Sequence, residues 1–198
     1  MIFRKESFEV FDIAGLEPRM VAIRAEIQPI FQEIGEKILV ELQKAMPRET
    51  FYLHIAQHRR RTTYAPESTW CAISTQKRGY KMEPCLVLAI WRHQVFFSLS
   101  ILDQPKGQVA YGQSLAVVKF DKGLQVSKSH LTSEIFDLSE LTNFLTRLQT
   151  VKQSEFEVGR AWSEEKMLTL SEKQFLSDLT DTMGKLIPAY KACLEVRP

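Results

Sequence analysis

The chain has 198 residues, 44% hydrophobic and 25% charged, with 26 basic against 24 acidic side chains and a formal charge of +2. That length suits one globular domain over residues 1–198, able to hide roughly 70% of its unfolded surface without a disulfide or metal staple. The near-neutral balance excludes a wholesale basic nucleic-acid or membrane binder, so any charge-driven function has to be local.

Phe8-Glu-Val-Phe-Asp-Ile13 is short, apolar-rich and followed by Gly15, which predicts a strand. Pro18 sits where a first helical turn tolerates proline. Ile23, Ile27, Ile30, Ile34, Ile38 and Leu42 then recur at spacings of three and four, one face of a long helix, with Pro29 inside it as a break or kink. From residue 50 the period changes. Phe51–Ile55, Thr69–Ile73, Leu86–Trp91 and Val95–Leu102 are runs of apolar, aromatic and β-branched residues that predict four strands. Only Arg92-His93-Gln94 separates the last two, so they form an antiparallel hairpin, and a meander is the economical sheet.

A weaker helix is predicted over 105–120 and a strand over 124–131. Asp137 and Ser139 offer N-caps to a helix carrying Leu141, Phe144, Leu145 and Leu148. Phe156–Trp162 alternates like a further strand. Ser171 with Gln174 makes a capping-box pattern before a last helix bearing Phe175, Leu179, Met183 and Leu186, bent near Gly184 and Pro188. Helices before and after antiparallel strands give an α+β class, the helices mainly on one sheet face and the other face partly open or covered by loops.

Cys71, Cys85 and Cys193 are odd in number and widely spaced, which excludes a disulfide framework or zinc pattern and suits a reducing compartment. Charges in MIFRKESFEVFDI interrupt any signal-peptide core, and no run approaches the ~20 apolar residues of a membrane span. The expectation is a cytoplasmic protein with no membrane partner.

One segment is unlike the rest. Between His54 and Lys81 stand six basic residues (Arg59, Arg60, Arg61, Lys77, Arg78, Lys81) and one acid, Glu67, a local charge of +5. Arginine forks match phosphate oxygens, and basic side chains around a tight turn at Gly79 can cradle an anion. Tyr64, Trp70 and Tyr80 lie among them, as in single-strand nucleic-acid sites. The candidate ligand-binding set is His54, His58, Arg60, Arg61, Lys77, Arg78, Tyr80 and Lys81. The bland reading is a solvated sheet edge, with Trp70 in the core.

His54 and His58, four apart, share one side of a helix or strand and can offer two metal ligands. Ile55 stands where a zinc-protease motif needs Glu, and no spacing supplies a third ligand from His93 or His130, so no metal site is read. Ser114, in a Gly-x-Ser context lacking the second glycine, reads as a plain helix residue. Cys71 reads as a small buried hydrophobe, and Glu155, Glu157, Glu164 and Glu165 as surface acids. No nucleotide, phosphate-loop or calcium motif is present, and no cofactor or catalytic residue is assigned.

The stretches FEVFDIAGLEPRM, IQPIF, HIAQHRRRTTYAPESTW, KRGYK and RLQTVK together resemble the YktB-like family of small uncharacterised proteins from low-GC Gram-positive bacteria, across nearly the whole chain. The resemblance implies an α+β fold with an antiparallel sheet akin to the TATA-binding-protein-like or helix-grip arrangement, and no activity.

The leading expectation is a non-catalytic binding module for a phosphate-bearing ligand or nucleic acid. The rivals are an enzyme on a phosphate-containing small molecule, with His54 or His58 as acid/base, and a structural or oligomerising protein.

Overall fold

The computed structural model describes residues 1–198. The N-terminal segment is helical: α1 spans Lys5–Glu9 and runs into a 3-10 turn at Val10–Asp12. The strand expected over Phe8–Ile13 is therefore corrected. Phe8 and Phe11, three apart, share a helical face and are both buried, and Phe3 packs edge-on against Phe31 and Phe175. A three-residue spacing in so short a run looks like alternation when only Phe8 and Val10 are counted.

Helix α2 spans Leu16–Ala22 and α3 spans Gln28–Ala45, joined by a wide π turn at Ile23–Ile27. Pro29 explains the turn. It lacks an N–H and its ring collides with the carbonyl four residues back, so the backbone takes a wider path in which Gln28 N–H donates to Ile23 O. All six residues of the predicted face, from Ile23 to Leu42, are buried.

The strands are β1 Tyr52–Ile55, β2 Ser68–Ser74, β3 Cys85–Trp91 and β4 Gln94–Ile101. There follow α4 Gln108–Ala116, β5 Gln125–Ser127, β6 Phe136–Asp137, α5 Leu141–Thr150, β7 Phe156–Ser163, α6 Glu164–Thr169 and α7 Glu172–Glu195. Neither Asp137 nor Ser139 caps α5 with its side chain; a 3-10 turn over Leu138–Glu140 leads into it instead. The Ser171–Gln174 capping box is present in both directions, and α7 continues through Pro188. No helix is long and apolar enough to cross a membrane.

The seven strands form one antiparallel sheet in the order β1-β2-β3-β4-β7-β5-β6. The first four make the expected meander; β7 then inserts between β4 and β5. Register sorts the faces. Leu88 stands opposite Phe97, Leu99 opposite Val158 and Val95 opposite Trp162, and these join Ile34, Leu42, Leu179 and Leu186 of α3 and α7 in one large core. Each such fully buried side chain contributes about 1.5–3 kcal/mol by leaving water.

The other face carries Trp70, Ala72, Cys85, Val87, Ala89, Trp91 and Phe96, a smaller apolar cluster closed by Tyr80 and Ile135 from loops. It is covered rather than open. Towards β7 this face turns polar: Ser98 and Ser100 of β4 and Glu157 of β7 stand side by side and are fully buried.

Candidate functional site

The half-buried indole of Trp70, on β2, packs against the apolar cluster of the covered face, and segments from both ends of β2 fold over it. Gly79 adopts φ +77°, a conformation open to glycine without a Cβ penalty, and starts a 3-10 turn over Tyr80–Met82 that returns Tyr80 and Lys81 over the sheet. Trp70 Nε1–H donates to the Tyr80 hydroxyl at 2.9 Å. Burial pushes that phenol up to about 12. From the other end of β2, the His58 ring meets Trp70 edge-to-face at 5.3 Å while its Nε2 bonds Thr69 Oγ1 at 3.1 Å. Burial, aided by the Arg61 charge, pushes His58 down to about 4.

His54, on β1, lies 5.0 Å from the Tyr80 ring, and its Nε2 donates to Gln76 O at 2.8 Å. Burial lowers its pKa against the opposing effect of that bond. The two imidazoles thus serve separate partners and do not converge on one atom.

Of the residues singled out in the sequence, His58, Tyr80 and Lys81 gather around Trp70, and His54 lies beside Tyr80. The remaining cations do not join them. Arg59, Arg60 and Arg61 are exposed in the loop before β2; Lys77 and Arg78 are exposed in the turn after it. Seven extended residues at about 3.3 Å each put those two connections roughly 20 Å apart along the strand. None of these five is in an ion pair, whereas Lys81 pairs with Asp103 and Arg92 with Asp12 and Glu164.

The arginine loop borders an open groove of about 470 Å³ lined by Arg19, Arg61, Tyr64, Glu67, Trp70 and Leu131. Arg19 is fixed by donating to Ile13 O at 2.9 Å and Pro66 O at 3.0 Å. A second hollow of about 330 Å³, reaching Trp91, Arg92 and His93, shares Arg19 and Glu67 with the first, so the two adjoin.

Sequence reasoning missed the polar cluster on the far side of Trp70. Lys81 Nζ lies 3.0 Å from Asp103 Oδ1, 3.1 Å from His130 Nε2 and 5.8 Å from the Trp70 ring centroid. His130 also meets Trp70 edge-to-face at 5.3 Å. Its Nδ1 is 2.7 Å from Glu155 Oε1, and its backbone N–H donates to Oε2 of the same carboxylate at 2.9 Å. Burial opposes the charge on Glu155, but the hydrogen bonds from His130 outweigh it and leave that pKa lowered. Asp103 is likewise lowered, burial being outweighed by Lys81.

Glu157 differs. Its Oε1 accepts from Ser100 Oγ at 2.8 Å and Ser98 Oγ at 3.3 Å, its Oε2 has no partner, and burial raises its pKa to about 7. Glu155 and Glu157 are 5% and 1% exposed, which corrects their reading as surface acids. The alternation of Phe156–Trp162 sends Glu157 to the face opposite Phe156 and Val158, but the β4–β7 register that sets it beside Ser98 and Ser100 gave no local signal. Asp103, His130 and Glu155 bring ligand-type atoms within 4.8 Å of one another, but the Lys81 ammonium already stands between Asp103 and His130, and Glu155 is committed to His130.

Residues 3–190 match a family model described as a domain of unknown function, DUF1054. The chain is 47% identical to the UPF0637 protein YsbB of Lactococcus lactis subsp. lactis, over 98% of this chain and 100% of that one. It is 39% identical to a UPF0637 protein of Enterococcus faecalis, over 96% and 97% of the two chains. With a UPF0637 protein of Exiguobacterium sibiricum it shares 35% identity over 96% of each. By the extent of these matches, the chain belongs to the DUF1054/UPF0637 family of bacterial proteins, the family of its YktB-like resemblance.

Proposed function

We propose that this protein is a binding module for an anionic, phosphate-bearing ligand, taken up in the groove beside Trp70 beneath the Arg59–Arg61 loop. One observation carries the reading: Arg61 and Arg19, neither in an ion pair, line with the single acid Glu67 a groove that also includes two aromatic rings, Trp70 and the 80%-exposed Tyr64. Guanidinium groups match phosphate oxygens in two-point geometry, and aromatic faces accept a stacked base, so a nucleotide or a short single strand suits the groove. Arg19, held by two backbone carbonyls, supports it as a fixed charge in the groove lining. Lys77 and Arg78, at the other end of β2, fall outside this reading, as does acid–base chemistry by His54 and His58, whose Nε2 atoms are engaged.

The test is fluorescence anisotropy of a labelled oligothymidylate and of a labelled nucleotide, titrated at several salt concentrations. The Arg60→Ala/Arg61→Ala variant is expected to weaken binding about tenfold or more and to flatten its salt dependence, because each neutralised phosphate releases counterions. Lys77→Ala/Arg78→Ala is expected to change little. Equal affinity of the first variant and the parent protein would overturn the proposal.

A further inference from the structure

We infer that Lys81 is a reversible carbonyl-capturing amine, with His130 as its proton acceptor and Glu155 as the residue that positions His130. This goes beyond the groove reading and does not rest on it, since none of the three residues belongs to the arginine loop.

The geometry is that of an activated nucleophile: nucleophile and base within hydrogen-bond reach, and the base oriented by a third group. Lys81 Nζ is 3.1 Å from His130 Nε2, and His130 Nδ1 is 2.7 Å from Glu155 Oε1. The partners fix the roles. The carboxylate of Glu155 only accepts, so Nδ1 carries the hydrogen; the ammonium of Lys81 only donates, so the free lone pair of Nε2 faces it. A second bond from Glu155, to the backbone N–H of His130, locks the imidazole in place. Both His130 and Glu155 are buried, whereas the Lys81 side chain keeps 26% exposure and can be reached from solvent. A structural ion pair needs only Lys81 and Asp103; a buried imidazole held in this tautomer behind the ammonium is surplus to that purpose.

The step balances without any co-reactant. His130 takes one proton from the Lys81 ammonium, and the resulting imidazolium is stabilised by Glu155. The freed amine turns about Cε–Nζ and adds to an aldehyde or ketone carbon. The C–N bond forms as the carbonyl π pair moves to oxygen, which takes a second proton from nitrogen. His130 returns its proton to that hydroxyl, the C–O bond breaks, and water leaves as the nitrogen lone pair closes the C=N bond. The product is a protonated imine, a cation in the place of the ammonium, so the 3.0 Å pairing with Asp103 serves both ends of the reaction.

The experiment is reductive trapping of the intact protein with acetaldehyde and cyanoborohydride, the ethylated lysines being located by peptide mass spectrometry. Lys81 is expected to be trapped about a hundredfold faster than the exposed Lys77 and Lys122, the low end of what a positioned acid–base group supplies. His130→Gln is expected to remove that advantage. Glu155→Gln is expected to reduce it and to displace the pH profile of Lys81 trapping, a readout that loss of a merely structural bond would leave unmoved. Trapping of Lys81 no faster than Lys77, as for an ammonium held inert by Asp103, overturns the inference, and that comparison needs no variant to fold. Survival of the full advantage in His130→Gln overturns it equally.

Discussion

Gly79 sets where two of the candidate residues go. Its left-handed conformation turns the chain after β2 back over the sheet, and a Cβ there would also meet Met82 Sδ at 3.1 Å. Gly79→Ala is expected to cost about 1–2 kcal/mol, the penalty of a side chain in that region, read as a lower urea midpoint. An unchanged midpoint would mean the turn is not held in this form. A tight turn here was legible, because a glycine between Arg78 and Tyr80 has few other uses. What the turn accomplishes was not. Tyr80 and Lys81 look like two more members of a basic run, and only the fold separates them from Lys77 and Arg78, which stay exposed. His130 and Asp103 carried no local signal, since their partners are 25 and 22 residues away in the chain.

At the scale of the elements, periodicity identified what local burial determines. The face from Ile23 to Leu42, strands β1 to β4 and their hairpin follow from spacing alone, because each residue's partner is the core itself. The insertion of β7 between β4 and β5 is a long-range pairing that no window of sequence contains. It depends on Gly159. An added Cβ would overlap the Phe97 carbonyl oxygen and lie 2.6 Å from Ser98 Cα, both backbone atoms of the neighbouring strand. No rotamer relieves such a clash. Gly159→Ala is therefore expected to destabilise by about 3 kcal/mol, the upper range for overpacking, measured by thermal or chemical denaturation. A loss under about 1 kcal/mol would show that the β4–β7 pair can shift, contrary to the close packing of protein interiors. The same pairing brings Glu157 beside Ser100 and makes the polar patch possible.

For the molecule as a whole, Glu157 and His58 pull stability in opposite directions over the same pH range. Glu157 is raised from 4.5 to about 7 by burial, so the folded protein holds its proton more tightly than the unfolded chain. Its contribution is complete below pH 4.5 and is lost as pH rises to about 7, a change on the order of 3 kcal/mol. His58 is lowered from 6.5 to about 4, so its contribution is present above pH 6.5 and is lost as pH falls towards 4. The two slopes oppose each other between these values and flatten the profile of the parent protein. Glu157→Gln keeps an oxygen for Ser98 and Ser100 but cannot titrate. Any fixed cost of its buried amide drops out when the stability difference between variant and parent is followed against pH, and the His58 effect cancels with it. That difference is expected to move in favour of the variant by roughly 3 kcal/mol from pH 4.5 to pH 8 and to level off above about pH 7. Urea denaturation at fixed ionic strength across that range measures it. A difference that stays constant with pH would mean that Glu157 is ionised alike in the folded and unfolded chains, and that the serine-lined patch between β4 and β7 is wetter than its packing indicates.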